Sequence, residues 1–141
     1  MNILQLHKYT VALLAIVAVV FVPLLALGAT MQAGEEVTIS ASTDVDGNLY
    51  VAGGNVTINT DVAGDLYTAG GNVLVTDNVR DDLVVAGGSV TVLGDSGGDV
   101  RIAGGNVLLT GAVGGELVAV GGSVTVADDV VVGGDAAVSY T

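Results

Sequence analysis

The sequence predicts an all-β chain built as a parallel β-helix, or solenoid, with 17-residue coils and three short faces, preceded by one N-terminal apolar helix. Three observations predict it. "NLYVAGGNVTI" at Asn48 returns as "DLYTAGGNVLV" at Asp65, "DLVVAGGSVTV" at Asp82, "DVRIAGGNVLL" at Asp99 and "ELVAVGGSVTV" at Glu116, each copy 17 residues after the last. Inside each copy the apolar residues alternate with others at a period of two, as in a strand with one face turned inward. The 141-residue chain also holds 22 Gly but one Phe and no Trp, so its core must be narrow and made of Val, Leu and Ile.

The first element is the apolar run of residues 11 to 29, "VALLAIVAVVFVPLLALGA", preceded by His7 and Lys8. It is long enough to span a bilayer as a helix. A weakly positive start and a small-residue end also fit a secretory signal. Residues 1 to 33 are therefore expected to be a signal peptide or a transmembrane anchor, and residues 34 to 141 the repeat domain. Lys8 inside and the acidic repeats outside place that domain beyond the membrane, secreted or anchored, with the cytoplasmic face as the alternative.

The lead-in "GEEVTISASTDVDG" already follows the repeat, with Ile39 expected opposite Val56 and Val45 opposite Val62. In the coils that follow, equivalent positions form inward columns: Leu49, Leu66, Leu83, Val100, Leu117; then Val56, Val73, Val90, Val107, Val124. A fifth column holds Val62, Val79, Val113 and Val130, broken by Ser96. Coils stacked at the strand spacing of roughly 4.8 Å make a rod roughly 25 to 30 Å long.

Each coil turns a corner at a glycine pair: Gly53 and Gly54, Gly70 and Gly71, Gly87 and Gly88, Gly104 and Gly105, Gly121 and Gly122. Such pairs serve positive φ or a close approach of backbones. Asn55, Asn72, Ser89, Asn106 and Ser123 follow them as a polar ladder able to hydrogen-bond from coil to coil. At the C-terminus, "VVVGGDAAVSYT" drifts out of register near Gly133. Unpaired strand edges are expected at both rod ends, around Val37, Ile39 and Ala41 and around Ala136, Val138 and Tyr140, as surfaces for self-association.

Charge and composition narrow the chemistry. All 15 acidic residues lie from Glu35 onward, against Arg80 and Arg101 alone. That balance repels a phosphate backbone and argues against nucleic acid as a partner. With no Cys, thiolate chemistry and disulfides are absent. His7, the one histidine, lies in the targeting segment, so no Ser–His pair arises in the repeats. The glycine pairs lead into strands with no Lys following, unlike a phosphate loop. No catalytic residue and no cofactor is expected.

Two acidic columns remain: Asp65, Asp82, Asp99 and Glu116, headed by Asn48; and Asp44, Asp61, Asn78, Asp95 and Asp129, with a gap at Ala112. Stacked carboxylates repel, so Ca2+ would relieve them. The nine-residue calcium-binding repeat is missing, however. Solvated turn residues are the simpler reading, and Asp65, Asp82, Asp99 and Glu116 are the weak metal candidates.

The repeats "GDLYTAGGNVLVTDNV" and "DDLVVAGGSVTV", with acidic starts and Gly-Gly corners, resemble the bactofilin, or polymer-forming cytoskeletal, family over residues 36 to 135. The resemblance implies a right-handed, three-faced β-helix that polymerises end to end without nucleotide, often tethered to a membrane, and without an active site. The apolar N-terminal run and the scarcity of positive charge depart from the family's pattern. The expected function is a non-enzymatic scaffold whose partner is itself, held at or outside the membrane through residues 11 to 29. The competing class is a monomeric acidic module or spacer for divalent cations or cell-surface polymers.

Overall fold

A computed structural model describes residues 2–5, 29–43 and 45–140. The helix expected over residues 11 to 29 lies, up to residue 28, outside the described residues. Among the described residues no helix is long and apolar enough to cross a membrane.

The repeat domain is all β, a parallel solenoid of about six turns. Its strands are β1 (Thr30–Ser40), β2 (Leu49–Asn59), β3 (Leu66–Val75), β4 (Leu83–Val92), β5 (Val100–Leu109), β6 (Leu117–Val126) and β7 (Ala136–Tyr140). They form one sheet in sequence order, every neighbour parallel. The first strand of this sheet begins at Thr30. A parallel pair ordinarily needs a crossover of a dozen residues or more. Here residues 60 to 65 suffice between β2 and β3, because each strand bends at its glycine pair and returns close to its start.

That bend modifies the expectation of short strands. Pairing runs through the corner, Gly53 opposite Gly70 and Gly70 opposite Gly87. Each interior coil therefore has one 10- or 11-residue strand and, on its third side, a single bridge such as Val62 to Val79. In β3 the inward residues are Leu66 and Thr68 before the corner and Val73 and Val75 after it. From β2 to β5 the inward apolar side chains are at most 4% exposed, a continuous aliphatic column.

The register is 17 residues from β2 to β6 and changes at both ends. Ile39 pairs with Ile58, and Val37 takes the place opposite Val56 that the repeat assigns to Ile39. The shift is undone by Val45, whose carbonyl accepts from the Ala63 N–H at 3.2 Å, so its alignment with Val62 is kept. At the other end Val113 pairs with Val132, not with Val130, and Leu117 with Ala136. Two extra residues cause each shift. They sit in β-turns closed by the Thr43 N–H on the Ser40 carbonyl (2.8 Å) and by the Val130 N–H on the Ala127 carbonyl (3.1 Å). Ser40 and Ala127 occupy the same place in their coils, so both end coils are enlarged at the same corner. A strict 17-residue count cannot see these insertions, because polar turn residues absorb them without disturbing the strand pattern.

Candidate functional site

The corner glycines owe their identity to crowding. A Cβ on Gly70 would stand 2.7 Å from the Gly53 carbonyl oxygen and 3.2 Å from a methyl of Val56; one on Gly71 would stand 3.0 Å from the Gly54 carbonyl oxygen. None of the corner glycines adopts the left-handed backbone, so of the two uses anticipated for them, close approach is the operative one. The polar ladder beside them forms one rung. The Asn72 side-chain amide donates to the Asn55 amide oxygen at 2.8 Å, while Ser89, Asn106 and Ser123 stand exposed.

Both acidic columns are hydrogen-bonded ladders. Asn48 Oδ1 accepts the Asp65 backbone N–H (2.9 Å), Asp65 Oδ1 that of Asp82 (3.0 Å), Asp82 Oδ1 that of Asp99 (2.8 Å) and Asp99 Oδ1 that of Glu116 (2.9 Å). On the second column Asp61 accepts from Asn78 (3.0 Å), Asn78 from Asp95 (2.9 Å) and Asp95 from Ala112 (2.8 Å). Each accepting side chain thus gives a corner N–H one coil further on a partner within the protein. Asp129 does not join: it lies in the second β-turn, and the two-residue shift puts Val131 at its expected place. Asp44 lies outside the described residues.

The Asp99 carboxyl is held below the ordinary aspartate range, first by the Glu116 N–H and then by Arg101, whose Nη2 donates to Oδ2 at 3.2 Å. Among the described residues, no group of three or more His, Cys, Asp or Glu is arranged to hold a metal ion. A signal for this role was present in the sequence: Asn48 heads one column and Asn78 interrupts the other, and an amide shares the acceptor Oδ1 with a carboxylate but not its charge.

The expected rod ends fall on the two edge strands. Val37 and Ile39 lie on β1 with their side chains turned inward, 6% and 1% exposed; Ala41 sits in the first β-turn. Ala136, Val138 and Tyr140 lie on β7, exposed throughout. Comparison with known proteins adds no relative: no protein-family model, no curated protein and no solved structure matches the chain.

Proposed function

We propose that the chain is a non-enzymatic structural scaffold that assembles end to end with copies of itself, its right-handed coils held at or outside the membrane by an apolar helix over residues 11 to 29. One observation carries the reading: a single in-register parallel sheet begins and ends, within the described residues, on open strands, β1 and the wholly exposed β7. Open edges are templates for further strands. A head-to-tail contact that does not close extends into a filament. The right hand follows the strong preference of parallel connections within one sheet. The alternative, a monomeric acidic module for divalent cations, has less support. The column side chains from Asn48 to Asp99, and from Asp61 to Asp95, already spend an oxygen on the backbone.

The test is electron microscopy and sedimentation of the full chain in detergent, with chelator or with Ca2+. Filaments one rod wide are expected in chelator. Val138→Lys, at the exposed edge, should abolish them, whereas Thr57→Lys, on a side of the rod, should not. A wild-type chain that stays monomeric in chelator and melts higher with Ca2+ would overturn the scaffold in favour of the binding module.

A further inference from the structure

The outward side of the first half of each coil differs from the rest of the surface. One column runs from Met31 through Tyr50, Tyr67 and Val84 to Val118; beside it lie alanines from Ala33 to Ala103, then Val120. Neither column holds a carboxylate, in a domain with 15 of them, and their one charge is Arg101. Met31, Val118 and Val120 are 42%, 36% and 49% exposed. Tyr50 and Tyr67 stack with ring centroids 4.9 Å apart and planes within 5°, at the wall of a shallow apolar groove of about 450 Å³. Burial, and after it Asp65, push the Tyr67 hydroxyl pKa up, so the ring stays neutral. The stripe is about 24 Å long over the five strand steps from β1 to β6. Exposed apolar area of this extent on an acidic rod marks a contact surface.

We propose that this face lies on a lipid surface, with the apolar columns at the boundary between headgroups and acyl chains and Arg101, which also donates to Asp99 at the border of the face, at the level of the phosphates. The inference deepens the membrane placement proposed above and rests on it. The run of residues 11 to 29 joins β1 at Thr30, one residue before Met31 opens the column, so a run held in lipid delivers this face to the membrane surface. Tyrosines favour that boundary, and an arginine can extend its head to the phosphates from an apolar surface. Of the other outward columns, those of Asp65 to Glu116, at the border of the tyrosines, and of Asp61 to Asp95 carry carboxylates, which a phosphate layer disfavours. The column of Thr57, Leu74, Thr91, Leu108 and Thr125 lacks carboxylates but has no aromatic ring and begins at Thr38, farther from the apolar run. A second copy is the weaker occupant, because face-to-face pairing would bring two strongly acidic rods and two Arg101 side chains together.

The chain has no cysteine, so single Ala69→Cys and Asn72→Cys variants can each carry one nitroxide. The full chain is placed in phosphatidylcholine vesicles, and collision with oxygen is compared with collision with a water-soluble nickel chelate. The label at 69 should lose nickel collisions several-fold relative to the label at 72 and gain oxygen collisions; Arg101→Glu should reduce the difference. Equal nickel access at 69 and 72 would overturn the proposal. So would spin–spin broadening at 69 that persists in detergent, which would assign the face to a second copy. Filaments scored by microscopy in the same samples separate the two readings. Intact filaments whose label at 69 stays open to nickel refute the lipid-facing side alone. A shielded label at 69 without filaments refutes end-to-end assembly alone.

Discussion

The two ends of the solenoid differ in what they leave open. At the C-terminal end, β6 shows the effect within one strand. Leu117 and Ala119, beneath β7, are 1% and 0% exposed, whereas Val124 and Val126, beyond which no described strand lies, are only partly buried. At the N-terminal end β1 is also an edge strand, yet Val37, Ile39 and Val45 stay 6%, 1% and 3% exposed. An open backbone edge and an open core are therefore separate properties, and among the described residues only the β6–β7 end has both. Since each coil rests on its neighbours, fraying should begin there, and an added strand would bury most there.

The largest expected effect contrasts a crowded corner with an open one. Gly70→Val forces a side chain against the Gly53 carbonyl and two valine methyls and should destabilise the rod by about 3 kcal/mol. Gly34→Val, at the equivalent corner of β1, meets nothing closer than 3.5 Å and should cost under about 0.5 kcal/mol. Denaturation midpoints of the two variants check this, and equal losses would mean that crowding between coils is not what selects glycine.

A smaller effect lies among the interior coils. Two polar residues stand in inward columns. Ser96 donates its hydroxyl to the Asp81 carbonyl at 3.0 Å, but the buried Thr68 hydroxyl has no partner. Thr68→Val keeps the shape and removes the orphan group, so it should stabilise by about 1 kcal/mol. Ser96→Val should destabilise instead, since it removes a made bond and enlarges the side chain. Paired melting curves test the opposite signs.

The smallest effect concerns pH and the ladders. The folded pKa of Asp99 lies below its unfolded value, so its stabilisation is present above the unfolded pKa and is lost as pH falls through the lower folded one. Asp99→Asn keeps the acceptor for the Glu116 N–H and should flatten the acid limb of the melting temperature. Asp99→Ala should lower the melting temperature at neutral pH as well. If Asn behaved as Ala does, charge and not the Oδ1 acceptor would be the column's contribution.

Much of the fold was legible because a solenoid repeats one local problem. The inward columns from Leu49 to Leu117 follow from period-two alternation, and the stacking follows from the fixed spacing. Polar positions were harder to read. A column of Asp invites a cation, and only the placement of the next coil's N–H shows that the backbone itself is the partner. The glycine pairs were recognised as corners, but sequence could not separate unusual φ from contact with the coil below, since both exclude a Cβ.

By itself, then, the sequence determined the strand class, the coil length of the interior, the aliphatic core and the acidic, cysteine-free surface, because each depends on residue type and short-range spacing. The tertiary structure alone decided the rest. It set the two-residue shifts at both end coils, because a β-turn of polar residues leaves no trace in hydrophobic periodicity. It also turned the aspartates toward backbone N–H groups and gathered Met31, Tyr50, Tyr67 and Val84 into one outward column beside the acidic ladder. Those neighbours are 17 or 19 residues apart in the chain and one strand spacing apart in space.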